Sequence, residues 1–111
     1  MDVSFRTKKL QKLCNSQAQA FKDLGPDCGK RLMARMFQLM AAGTLADVLH
    51  LPGARLHVLR NDRAGQYAVD LKHPQRLILI TAHDPVPVLE DGGVDLSAVT
   101  AIEIIEIVDY H

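Results

Sequence analysis

The sequence predicts an α+β fold in which two N-terminal helices pack on an antiparallel β-sheet and the C-terminal strand is central in that sheet. Three observations support this class. Apolar residues recur at helical spacing from Leu10 to Leu49, the period changes to short strand-like runs after Gly53, and residues 101–109 form a β-branched run. A chain of 111 residues can enclose one hydrophobic core, so we expect a single domain over residues 1–111.

The first half of the chain contains a short strand and then the helices. Residues 2–6 form a candidate strand, and Thr7 is a suitable N-cap for the first helix. The run Gly25-Pro26-Asp27 combines a helix stop with a new cap, so it separates the two helices. Residues 44–49 predict one more helical turn. The second helix presents a broad apolar face, more typical of a core than of a cofactor site: Leu32, Met33, Met36, Phe37, Leu39 and Met40.

The second half predicts a β-meander followed by a long loop and a last strand. Residues 55–60, 66–71 and 75–81 are short runs separated by turns, and such short connections require hairpins. Residues 82–99, with two Pro and a Gly pair, form the loop. In the last strand, Ile102 and Ile104 point to one face and Ile105 and Ile107 to the other. We therefore expect this strand to be buried on both faces and central.

Composition excludes several classes of protein. No run approaches the ~20 apolar residues of a membrane span and no signal pattern is present, so we expect a cytoplasmic protein without a membrane partner. Cys14 and Cys28 have no metal-ligand spacing, so two reduced cysteines are favoured over a zinc site or a disulfide. The five His are scattered, and we expect no metal and no cofactor.

The zero net charge conceals an asymmetry along the chain. Residues 1–81 hold all thirteen Lys and Arg against six acids, whereas residues 82–111 hold seven acids and no Lys or Arg. A basic surface can therefore exist on a neutral protein, with the acidic loop directed away from it. Two interpretations stay open: a surface that faces a polyanion, and an ordinary pair of solvated helices.

Several residues whose side chains could take part in catalysis are expected to come together in the predicted sheet. Strand alternation places Arg55 and His57 on one face, and a central strand ending in Asp109-Tyr110-His111 can approach them together with Arg60 and Arg76. Imidazole, phenol and guanidinium groups without a metal suit RNA cleavage, which needs a base, an acid and fixed cations. Each signal alone is weak, because a lone His or Arg on a strand is usually a solvated or satisfied residue.

The chain resembles the HigB-type branch of the RelE/ParE superfamily of bacterial toxins, the killer proteins of toxin–antitoxin modules. The most specific matching piece is the ending Asp109-Tyr110-His111. The matching segments occur in the order of that family and cover most of the chain outside the 82–99 loop: residues 3–13, 51–59, 61–65, 75–78 and 106–111.

The resemblance implies a RelE-like fold and a ribosome-dependent endoribonuclease that cuts mRNA. It also implies neutralisation by a HigA-like helix-turn-helix antitoxin, with operator DNA contacted only through the toxin–antitoxin complex. It assigns catalysis and RNA-phosphate binding to two sets of residues: His57, Asp109, Tyr110 and His111 for catalysis, and Arg55, Arg60 and Arg76 for phosphate.

Two other functions remain open on the same fold. One is a ParE-like toxin that inhibits DNA gyrase, which would need no acid–base pair. The other is a degenerate, non-catalytic protein that still binds an antitoxin, and the neutral charge is its best support.

Overall fold

The computed structural model describes residues 1–109 and contains a five-stranded sheet. The strand order is β1-β5-β4-β3-β2, with β1 parallel to β5 and every other pair antiparallel. The α+β class is confirmed, but the sheet is mixed rather than wholly antiparallel, because helices and meander separate β1 from β5 and such a long connection permits parallel pairing. The strands are β1 Asp2–Phe5, β2 His57–Val58, β3 Gln66–Asp70, β4 Gln75–Thr81 and β5 Ala101–Asp109.

The helical layer contains α1 Lys8–Asn15, α2 Gln17–Ala41 and α3 Leu45–Val48. Thr7 caps α1 as predicted, since its hydroxyl accepts the Leu10 N–H at 3.1 Å. The first helix ends earlier than predicted, because the Ser16 hydroxyl accepts the Gln19 N–H at 3.2 Å and starts a new helix. The predicted break at Gly25 is present as a left-handed residue, φ 84°, inside α2.

The main core lies between this helical layer and one face of the sheet. Leu32 and Leu39 of α2 are buried in it with Leu77, Leu79 and Ile104 of the sheet. The predicted apolar face of the second helix is too broad. Phe37 is 75% exposed and Met40 is 56% exposed, because the buried stripe follows only positions such as 28, 32, 36 and 39.

The opposite side of the sheet, called the open face here, has no α-helical residue in its buried cluster among residues 1–109. A small cluster of Ala68, Ile78 and Ile105 is buried there, with Leu59, Ile80 and Val108 packed around it. Strand β5 is interior as predicted, since β1 and β4 flank it, although β4 is the middle strand of the five.

A β-bulge interrupts β5. Leu79 pairs with Ile104 but Ile78 pairs with Glu106, so Ile105 is the extra residue. Ile105 and Glu106 therefore both belong to the open face, whereas Ile107 packs into the main core. The prediction that Ile107 shares a face with Ile105 is wrong for this reason.

The long loop, residues 82–99, begins where β4 ends. The loop is anchored to α3 by the Leu45 N–H, which donates to the Val99 carbonyl at 2.9 Å. Arg76 lies at the other end of β4, which at about 3.3 Å per residue is roughly 17 Å away. The loop contains a short 3₁₀ turn, Leu96–Ala98, and its acidic residues start from the end of the sheet opposite Arg76. None of the helices among residues 1–109 is both long and apolar enough to cross a membrane.

Candidate functional site on the open face

Cross-strand pairing brings the predicted strand residues onto the open face. His57 pairs with Ala68, and Ala68 pairs with Ile78 of the open-face cluster. Asp70 pairs with Arg76, which in turn pairs with Val108 of the same cluster. Since directly paired residues project to the same side of a sheet, His57, Asp70 and Arg76 share the open face.

His57 is held in one tautomer. Its ring Nδ1 lies 2.6 Å from the Arg55 carbonyl oxygen, which can only accept, so Nδ1 carries the proton. The other nitrogen, Nε2, is shielded from solvent and makes no hydrogen bond within residues 1–109. A neutral His57 therefore presents an unprotonated Nε2, which is the form that a general base requires.

Asp70 lies between two guanidinium groups. Its Oδ2 is 3.5 Å from Arg55 Nε, and its Oδ1 is 3.4 Å from Arg76 Nε. Arg55 is 77% exposed at its side chain, whereas the Asp70 side chain is 21% exposed. Two guanidinium groups beside one oxyanion form ion pairs of a kind that a phosphate group can also make.

Other cations of the open face are also paired with carboxylates. Arg63 Nη1 donates to Glu106 Oε1 at 2.5 Å and to Gln66 Oε1 at 2.9 Å. Arg6 contacts Glu103 at 3.4 Å. The open face is thus a surface of alternating charges rather than a uniformly basic one, which lowers its attraction for a polyanion.

Sequence reasoning missed Asp70, Arg63 and Glu106. Asp70 carries a recognisable signal, because a carboxylate inside the apolar run of residues 67–71 needs a partner to be buried even partly. Glu106 reaches the open face only because of the bulge, and the residue types of β5 do not predict that bulge.

Asp109 lies on the other side of the sheet. It follows Val108 of the open face and pairs with Gln75 at the end of the ladder. Its charge adds to the effect of burial in raising the pKa of the Cys28 thiol, which is a residue of the main core. Its carboxylate therefore does not join His57 in this structure. The predicted site residues Tyr110 and His111 lie outside the described residues.

Arg60 stands at the start of a 3₁₀ turn, Asn61–Arg63, where its carbonyl accepts the Arg63 N–H at 3.1 Å. Its side chain is exposed. The predicted strand over residues 55–60 is reduced to His57–Val58, because Arg55 and Asn61 adopt left-handed φ values of 50° and 59° that interrupt extended backbone.

The described residues contain no group of three or more His, Cys, Asp or Glu that could hold a metal ion.

Among solved structures, this fold occurs in bacterial toxins of the YoeB/ParE type. One is a YoeB–YefM complex from Staphylococcus aureus, at 15% identity and a TM-score of 0.55, with 100% of this chain and 97% of that chain covered. Another is a YoeB/ParE toxin from Agrobacterium tumefaciens, at 8% identity and a TM-score of 0.56, with 100% of each chain covered. At these identities the likeness shows the fold. No protein-family model and no curated protein matches the chain.

Proposed function

We propose that this chain is the toxin of a type II toxin–antitoxin module and acts as a metal-independent, ribosome-dependent mRNA endoribonuclease of the HigB type. The observation that carries the proposal is His57, whose Nδ1–H is bound to the Arg55 carbonyl while Nε2 is left as a base. The fold shared with YoeB/ParE-type toxins supports the same class.

The proposed reaction is an intramolecular transphosphorylation that cleaves the RNA backbone. Nε2 of His57 takes the proton of a ribose 2′-hydroxyl, and the 2′-oxygen attacks the adjacent phosphorus. A 2′,3′-cyclic phosphate forms as the bond to the 5′-oxygen breaks, and that oxygen takes a proton from a general acid. Arg55 and Arg76 balance the charge on the phosphate oxygens. We assign the acid to the terminal pair Tyr110 and His111, because Asp109 is directed to the helical side.

The partners follow from the same proposal. A neighbour of this fold was solved as a complex of two proteins, YoeB with YefM, which supports a protein partner for this chain. We assign that role to a HigA-like helix-turn-helix antitoxin, with operator DNA contacted only through the pair. The working environment is the ribosome in the cytoplasm.

A second candidate is favoured by the charge pattern of the open face. Arg6, Arg55, Arg63 and Arg76 each contact a carboxylate of this chain, which weakens the attraction for RNA. Such a surface suits a toxin that acts by binding a protein, as a gyrase inhibitor does, or a degenerate relative that only binds its antitoxin.

Side-by-side assays separate these functions. The full chain is expressed alone and with its neighbouring gene, and mRNA cleavage during translation is compared with gyrase supercoiling. We expect growth arrest with cleavage, and a loss of cleavage of about 10²–10⁴-fold in His57→Ala. His50→Ala, which truncates an exposed histidine outside the site, is the matched control and should keep full activity. Arrest with inhibited supercoiling and intact mRNA would establish the gyrase alternative, and no arrest would establish the degenerate one.

A further inference from the structure

Arg35 is buried within the helical layer, with 7% of its surface exposed, and is the one buried charged residue among residues 1–109. It occupies the apolar stripe of α2 together with Leu32, Met36 and Leu39. Burial lowers the pKa of its guanidinium, and the positive charge of Arg31 lowers it further. A buried cation persists only where polar groups satisfy it, so its partners show what it does.

Those partners are mainly backbone carbonyls. Arg35 Nε donates to the Asp70 carbonyl at 2.7 Å, and Nη2 donates to the Gly53 carbonyl at 2.7 Å. A third donor, Nη1, reaches Gln38 Oε1 on the same helix at 3.1 Å. The planar guanidinium thus ties the end of β3 to the turn at residues 53–55.

Both tied segments carry the candidate site. Asp70 is the carboxylate between Arg55 and Arg76, and Gly53 lies two residues before Arg55. The same two segments are joined directly, since the Asp70 N–H donates to the Ala54 carbonyl at 2.7 Å. Within this turn Arg55 holds a left-handed φ of 50°, which costs energy in a residue with a Cβ unless its surroundings enforce it.

The strained residue supplies the carbonyl that fixes His57. Its oxygen lies 2.6 Å from His57 Nδ1, so the orientation of the residue 55 peptide decides whether the imidazole is held with Nδ1 protonated. If the turn relaxed to an ordinary φ, this oxygen would move away. A free imidazole favours the other neutral tautomer, in which Nε2 carries the proton and cannot act as a base.

We propose that Arg35 is a positioning residue for His57: by clamping the Gly53 carbonyl against the end of β3, it holds the Arg55 carbonyl where it captures the His57 Nδ1–H. The inference about catalysis rests on the proposed function. The tautomer itself is a property of the chain that can be measured without any substrate.

Four variants distinguish an effect of the Arg35 hydrogen bonds on His57 from an effect of lower overall stability. Arg35→Met removes all three donors, and Arg35→Lys keeps the charge but cannot span both carbonyls with one ammonium. Gln38→Ala removes the third partner and leaves both carbonyl bonds, so it is the matched control. Leu39→Ala makes a cavity in the same helix without touching the turn, and controls for loss of stability.

A further variant disturbs the clamp and keeps Arg35. Gly53 has φ +78°, and a Cβ there would lie 3.2 Å from Arg35 Nη2, so Gly53→Ala strains the turn from its other end. If Arg35→Met does not fold, Gly53→Ala still tests whether the hydrogen bonds of Arg35 control the tautomer of His57.

The measurement is long-range ¹H–¹⁵N correlation on the full chain with ¹⁵N-labelled histidine, below the thermal transition of each variant. His83 is an internal reference, because its Nε2 accepts the Thr100 and Ala101 N–H groups at 3.0 and 3.3 Å and so also requires a protonated Nδ1. His57 is assigned by its absence in His57→Ala.

We expect neutral His57 with Nδ1 protonated in the natural chain, Gln38→Ala and Leu39→Ala. We expect averaged tautomers in Arg35→Met, Arg35→Lys and Gly53→Ala, with His83 unchanged throughout and RNA cleavage reduced at least tenfold. An unchanged His57 in folded Arg35→Met or Gly53→Ala, or an equal change in Leu39→Ala, would overturn the positioning role. A changed tautomer with undiminished growth arrest would support the clamp and overturn His57 as the base.

Discussion

Asp70 is the residue at which the electrostatics of the open face can be tested most directly. Asp70→Asn removes the carboxylate that lies 3.5 Å from Arg55 Nε and 3.4 Å from Arg76 Nε, while its backbone contacts to Arg35 and Ala54 remain. Since the two guanidinium groups contact the two oxygens of one carboxylate, their Nε atoms lie at most about 9 Å apart once the separation of those oxygens is included. The variant therefore leaves two like charges close together.

The expected loss of stability is moderate. Two partly exposed ion pairs contribute roughly 0.2–1 kcal/mol each. The repulsion between two unit charges about 9 Å apart adds roughly 0.7 kcal/mol at an effective dielectric constant near 50. The sum of roughly 1–3 kcal/mol corresponds to a fall in Tm on the order of 5–15 °C for a domain of this size.

Inorganic phosphate should restore part of this loss. An oxyanion bound between Arg55 and Arg76 replaces the missing carboxylate, and at ten times its Kd it stabilises the variant by about 1.4 kcal/mol. The assay is thermal denaturation in phosphate and in chloride at matched ionic strength. General salt effects act on every variant, so the difference from the natural chain is the quantity of interest.

Glu103→Gln provides the matched control, because it removes a carboxylate of the same face that contacts one guanidinium, that of Arg6. It should lower Tm less and gain nothing specific from phosphate. If phosphate stabilises Asp70→Asn no more than it stabilises the natural chain, the Arg55–Arg76 pair does not hold an oxyanion and its assignment to RNA phosphate is wrong.

Four further outcomes are expected. Burial raises the pKa of the Cys14 thiol to about 12 from 9.0, so between these pH values the folded state keeps a proton that the unfolded state loses. The free energy of unfolding should therefore fall by about 1.4 kcal/mol per pH unit in this range. Cys14→Ala should lack this pH dependence in urea titrations from pH 8 to 11. Thr7→Ala should cost about 1 kcal/mol in the same urea assay, because the Leu10 N–H loses its cap, and an unchanged midpoint would contradict the capping role. Leu79→Ala should cost about 2–5 kcal/mol by opening a cavity in the main core, whereas Phe37→Ala at the exposed surface should cost under about 1 kcal/mol. A chain truncated after Asp109 should keep its Tm within a few degrees but lose cleavage by about 10²–10⁴-fold, and unchanged cleavage would remove the terminal residues from the mechanism.

The elements predicted best from the sequence are the two longest strands. The predicted bounds, residues 75–81 and 101–109, are those of the structure. Each segment is rich in β-branched or apolar residues, which favour a strand that packs against the core. The strand at residues 55–60 was overestimated. It is limited by left-handed backbone at Arg55 and Asn61, and the identities of these residues give only a weak sign of that conformation.

The candidate site was predictable in part. Alternation predicts only that Arg55 and His57 share a face, with Arg76 expected near them, and the structure places His57 and Arg76 on the open face with Asp70. Asp109 could not be placed by counting residues, because the bulge at Ile105 shifts the alternation of every residue after it. Arg35 was missed although it lies in the apolar stripe of its helix, since long cations usually extend from such positions to solvent.

The bulge in β5 also determines how this protein tolerates insertions and deletions. Removing Ile105 would restore strict alternation without moving either half of the strand: residues 101–104 and 106–109 would keep their partners, and Asp109 would stay on the helical side. The lost contacts would be those of one side chain in a small cluster. The loss of a single codon at the bulge can thus be absorbed without changing which face any other residue of β5 occupies, whereas a deletion elsewhere in the strand would move every residue beyond it to the opposite face.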